Sequence, residues 1–71
     1  MPLVSVGELA ILIVEPSSFQ QKIICTELEQ LGCQQIDTAA TITEALELMS
    51  RHKPDLVISS MYLPDGDGID F

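Results

Sequence analysis

The chain has 71 residues, 46% of them apolar, with 3 basic and 11 acidic side chains and a formal net charge of -8. That length builds at most one small domain, and the apolar share is ample for a core and argues against disorder. A surface this acidic repels phosphate backbones and anionic headgroups, which sets aside nucleic-acid binding by this segment and attachment to an anionic membrane.

The opening residues "MPLVSVGELA" lack a basic segment followed by a long apolar core, so no secretory signal is read there. The longest apolar run, "LAILIV" at 9–14, is far too short to span a bilayer. Its extension "LAILIVE" is continuous and β-branched, as expected of a strand covered on both faces, β1 at 9–15. Pro16 ends it, because proline cannot extend a central strand.

Ser17 and Ser18 each offer a capping hydroxyl with a glutamine three residues on, so a helix begins there: α1, 17–31. Phe19, Ile23, Ile24, Leu28 and Leu31 recur at helical spacing and predict one apolar stripe, and Gly32 ends the helix. The mostly polar "CQQIDTA" reads as a short edge strand, β2 at 33–39. In "TITEALELMSRHK", Thr41 and Glu44 make a capping box for α2 at 42–53, with Ile42, Ala45, Leu46 and Met49 on one face. Arg51, His52 and Lys53 sit where the negative end of the helix dipole favours cations. Pro54 closes α2, "DLVISS" is a second buried strand, β3 at 55–60, and 61–71 is a loop dense in turn residues, with room for one helical turn at "IDF".

Strands alternating with helices over short connections imply parallel pairing and right-handed crossovers, an α/β fold. Cys25 and Cys33 lack C-x-x-C spacing and read as two reduced thiols of a cytoplasmic protein.

Three blocks, "ILIVE" before a capped helix ending in "LEQLG", "TITEALELM", and "KPDLVISSMYLPDGDG", together resemble the first half of a response-regulator receiver domain over residues 11–68. The resemblance implies the flavodoxin-like, CheY-like three-layer fold, here β1-α1-β2-α2-β3 with sheet order 2-1-3. It also implies what to look for chemically. In a working receiver an acidic pair after β1 and an aspartate ending β3 hold Mg²⁺, and that aspartate accepts a phosphoryl group.

Carried over by position, the first acid is Glu15, the second is Pro16, and the phosphoacceptor position is Ser60, four residues before Pro64. Tyr62 falls where a backbone carbonyl would meet the metal. Three side-chain carboxylates are thereby reduced to one. That is a poor Mg²⁺ site, and a serine hydroxyl without a neighbouring base is a weak nucleophile. The expectation is a truncated, non-catalytic pseudo-receiver with no cofactor, ending before the family's later readout residues.

Other residues carry weaker signals. Asp65, Asp67 and Asp70 tempt a calcium reading, but no later bidentate glutamate follows, so a solvated acidic turn is expected. Glu15 is read as capping nearby amides, with residual cation binding as the alternative. His52 is expected as a solvated helix cap and Asp55 as structural. A nucleotide site is disfavoured because no G-x-G-x-x-G follows β1.

Without further strands, the apolar β3 becomes an open edge beside an uncovered α1 face, which marks an association site. The expected contacts are Leu56, Val57 and Ile58 on the edge and Ile23, Ile24 and Leu28 on the helix. A two-fold dimer pairing β3 with its copy, sheet order 2-1-3-3′-1′-2′, is the expected assembly. Alternatives are a missing half on another chain, other signalling partners, a phosphorylatable receiver binding Mg²⁺ weakly through Glu15, or a half-domain produced by cutting or engineering.

Overall fold

The computed structural model describes residues 6–60, 62–63 and 66–67. After a 3-10 turn at Val6–Glu8, the order is β1 (Ala10–Val14), α1 (Ser18–Gln30), β2 (Gln35–Ala39), α2 (Ile42–Arg51) and β3 (Leu56–Ser59), then β4 (Tyr62–Leu63) and β5 (Gly66–Asp67). The three longer strands form one parallel sheet in the order β2-β1-β3. Ile11 of β1 aligns with Ile36 of β2 and with Leu56 of β3, and Val14 aligns with Ala39 and Ser59. This is the flavodoxin-like order expected from the sequence.

The chain steps from β1 out to β2, then back past β1 to β3. Crossovers of one hand therefore place the two helices on opposite faces of the sheet. The core shows this directly. On one face Leu12, Val14, Ala39 and Ala45 are buried, with Ile42, Leu48 and Met49 of α2 packed on them. On the other, Ile11, Ile13 and Cys33 are buried beneath Ile24, Cys25 and Leu28 of α1, with Ile36 and Ile58 alongside. Ile11 to Val14 are all buried because β1 lies between two strands and between two helices. An uninterrupted apolar run is what that position demands.

The helix ends follow elementary capping chemistry. Ser17 Oγ accepts from Gln20 N at 3.3 Å, and Thr41 Oγ1 accepts from Glu44 N at 3.1 Å. At the far end of α1, Gly32 has a φ of +97°. Its N–H donates to Glu29 O at 3.0 Å, and Cys33 N donates to Leu28 O at 3.0 Å. These two bonds form a Schellman motif, with Cys33 and Leu28 in the same apolar cluster.

Four expectations need correction. The α1 stripe divides: Ile24 and Leu28 reach the core, whereas Phe19, Leu31 and Ile23 are 70%, 68% and 39% exposed. On α2, Leu48 takes the inward place expected of Leu46, which is exposed. At 100° per residue Leu46 and Leu48 flank the centre of the Ile42, Ala45 and Met49 stripe by about 65° and 95°, so periodicity leans to Leu46 and only the sheet brings Leu48 inward. β3 is not buried on both faces: Leu56 and Val57 are exposed, and among the described residues β3 pairs only with β1.

The segment after β3 is also more than a loop. Tyr62 pairs with Asp67 and Leu63 with Gly66 in an antiparallel ladder. The two strands are two positions apart in sequence, the spacing of the tightest hairpins. The expected helical turn at 69–71 lies outside the described residues.

Candidate functional site

In an open parallel α/β sheet, chemistry gathers beyond the carboxyl ends of the strands, where backbone carbonyls and loop side chains converge. Here Glu15 follows β1 and Ser60 follows β3. Ser60 N donates to Val14 O at 2.9 Å, and Glu15 N donates to Ala39 O at 2.9 Å, so the sheet ladder carries both residues to this rim. Pro16 comes next after Glu15 and turns the chain toward the Ser17 cap.

Gln21 fastens α1 to this rim. Its Nε2 donates to Glu15 O at 2.6 Å and lies 3.4 Å from Ala39 O, bridging the ends of β1 and β2. Sequence reasoning assigned Gln21 to a capping box with Ser18, because local spacing cannot reveal a bond spanning 18 residues. Ser17 provides the N-cap, and Ser18 begins the helix.

The Glu15 carboxylate does not cap an amide through both oxygens. Its Oε2 is buried and has no hydrogen-bond partner among the described residues. An unpartnered buried carboxylate oxygen is costly, and a cation is what it would accept. The neighbouring positions supply little help for a hard dication: Pro16 has no side-chain oxygen, and Ser60 offers a neutral hydroxyl. Mg²⁺ dehydrates reluctantly and is held through carboxylates in near-octahedral geometry. This donor set does not fit it. Among the described residues, no three His, Cys, Asp or Glu side chains lie close enough to form a metal cluster. Tyr62 lies in β4, paired with Asp67.

The residues expected to form a contact surface separate into two groups. Ile24, Leu28 and Ile58 pack in the core, and Ile23, Leu56 and Val57 are exposed. Asp55 accepts a hydrogen bond from Ala10 N through Oδ2 at 2.8 Å. His52 is the C-cap of α2, its N–H donating to Leu48 O. Asp65 and Asp70 lie outside the described residues. Both cysteines are free, Cys33 buried and Cys25 half-buried. Burial, and then the nearby Glu29 carboxylate, push the Cys25 thiol above its ordinary value of 9.0.

A parallel 2-1-3 sheet between two helices, with an acidic residue just after the first strand, is the arrangement shared by the receiver class of signalling module. The response regulator receiver domain family matches residues 11–71, and the chain belongs to it. The KDP operon transcriptional regulatory protein KdpE of Escherichia coli (strain K12) is 39% identical over 61 residues, 86% of this chain. The chain spans 27% of that protein's length. No solved structure matches the chain.

Proposed function

We propose that this receiver is a non-catalytic pseudo-receiver of two-component signalling, working through protein contacts in the cytoplasm and not through phosphoryl transfer. The observation that carries the reading is Ser60, hydrogen-bonded to Val14 at the end of β3 where the family places its phosphoacceptor aspartate. An acyl phosphate needs a carboxylate, and the metal that screens its formation needs more than the Glu15 oxygens. Pro16 removes the second acid. Two substitutions at the two critical positions disable the same reaction.

The test is phosphoryl-mimic binding. With Mg²⁺ and beryllium fluoride added to labelled protein, Glu15 and Ser60 amides should show no saturable NMR shift. Micromolar saturation would overturn the reading. The buried Oε2 of Glu15 favours a second reading, a receiver that keeps weak cation binding. Mg²⁺ alone separates that reading from the first, because it would then shift Glu15 without shifting Ser60.

The contact surface proposed is the edge of β3 at Leu56 and Val57 with Ile23 on the neighbouring α1 face; Ile24, Leu28 and Ile58, also expected there, pack in the core and support this surface from beneath. Exposed Leu56, Val57 and Ile23 support it, since an apolar edge left unpaired among the described residues invites strand addition. The occupant proposed is a second copy, paired antiparallel about a two-fold axis. Sedimentation should find a dimer that Val57→Lys dissociates, and a folded monomer at micromolar concentration rejects it. The likeness to a transcriptional regulatory protein suggests that such contacts relay a signal to an output module.

A further inference from the structure

At the opposite end of the sheet, about 13 Å along β1 from the rim just described, lies a concavity of about 660 Å³. It is lined by Ala10, Gln34, Gln35, Ile36 and Asp37 on the strand side, and by Arg51, His52 and Lys53 from the end of α2. The chain has only 3 basic side chains and 1 histidine. Two of those three cations and that histidine face this one space, while the third, Lys22, sits on α1.

We propose that this concavity binds a small oxyanion, a phosphate or carboxylate group carried by a low-molecular-weight ligand. Arginine and lysine supply charge-assisted donors, and the Gln34 and Gln35 amides supply neutral ones, the mixture that recognises an oxyanion. The volume falls within the range of small-molecule sites, about 300–1,000 Å³.

Two nearby carboxylates compete little for these cations, one because it is engaged elsewhere and the other because its pairing with Arg51 is weak. Asp55 spends Oδ2 on the Ala10 N–H at 2.8 Å. Glu47 meets Arg51 at 3.7 Å, with both side chains about two-thirds exposed. A pair so open to water is weak and yields to a better partner. Asp37 remains as the acidic wall. It opposes the anion, and it offers an acceptor to a hydroxyl or amine on the same ligand.

Cations at a helix C-terminus also offset the helix dipole, and that role alone needs no cavity. The two readings differ in what they make of added anion. The experiment titrates ¹⁵N-labelled protein with inorganic phosphate, and separately with succinate, against sodium chloride at matched ionic strength. Saturable shifts confined to Gln35, Ile36, Asp37 and His52 are expected, and whichever anion binds tighter identifies the group preferred. Arg51→Gln with Lys53→Gln should weaken binding about tenfold or more, given the strength of charge-assisted bonds.

Asp37→Asn should tighten binding by removing the repulsive wall, a gain that unfolding cannot mimic. Linear shifts equal to those with chloride would overturn the proposal. So would binding that survives the double substitution. Shifts that grow with protein concentration and ignore the anion would reassign the patch to the acidic end of a second copy, and overturn it equally.

Discussion

Asp55 and Ala10 bind each other twice: Ala10 N donates to Asp55 Oδ2 at 2.8 Å, and Asp55 N donates to Ala10 O at 2.7 Å. The pair lies 45 residues apart in sequence and ties the entry of β3 to the entry of β1. Pro54 immediately before Asp55 has no N–H to contribute, so Asp55 is the first residue able to start the ladder. Asp55→Ala should cost about 1 kcal/mol, the net worth of one such hydrogen bond. Asp55→Asn keeps an accepting oxygen and should cost less. Urea unfolding of the two variants gives the comparison; equal losses would mean that the side-chain bond contributes nothing.

Gly32 offers a second test. An added Cβ there meets nothing within 4 Å, so a substitution is penalised by backbone conformation alone. With φ at +97°, Gly32→Ala should destabilise by about 1–2 kcal/mol through the left-handed penalty. Thermal melting measures this directly. A neutral result would show that α1 can end without the Schellman turn.

The α2 leucines should respond unequally. Leu48 packs against the Leu12 and Val14 face, and Leu46 is 54% exposed. Leu48→Ala should cost about 2 kcal/mol, at the low end for a core truncation because the side chain is only partly buried. Leu46→Ala should stay within about 0.5 kcal/mol. The reverse order in denaturant titrations would place the other leucine against the sheet.

Cys25 predicts an alkaline effect. Its thiol is raised above 9.0 by burial and by Glu29, so the folded state favours the neutral form. The resulting stability is fully present below the unfolded value and is lost as pH rises through the higher folded one. Alkylation of native protein by iodoacetamide should therefore follow a pH profile displaced above 9.0, since the thiolate is the nucleophile. Glu29→Gln should move that profile back toward the ordinary value. An unchanged profile would remove Glu29 as a cause.

How legible was this molecule in its residues? The layered fold follows from local patterns: the continuous "AILIV" core strand, the Ser17 and Thr41 caps, and the Gly32 stop each report a backbone need that neighbouring residues alone impose. The residue types on which the proposed pseudo-receiver reading rests are also readable locally, because Pro16 has no side-chain oxygen and Ser60 carries a hydroxyl wherever they stand. Which leucine of α2 faces inward was not readable, since the two flank the stripe on opposite sides and what the sheet presents to each side decides between them. Nor were the Gln21 bridge, the Asp55–Ala10 pair and the concavity ringed by Gln35, Asp37, Arg51 and Lys53.

Each of those joins segments distant along the chain. Helical period, capping and turn chemistry act within a few residues, so composition and spacing settled the class of fold. Bonds spanning 18 to 45 residues exist only once the sheet has set its register, and so the clamp, the paired strand entries and the cationic hollow were decided by tertiary structure alone.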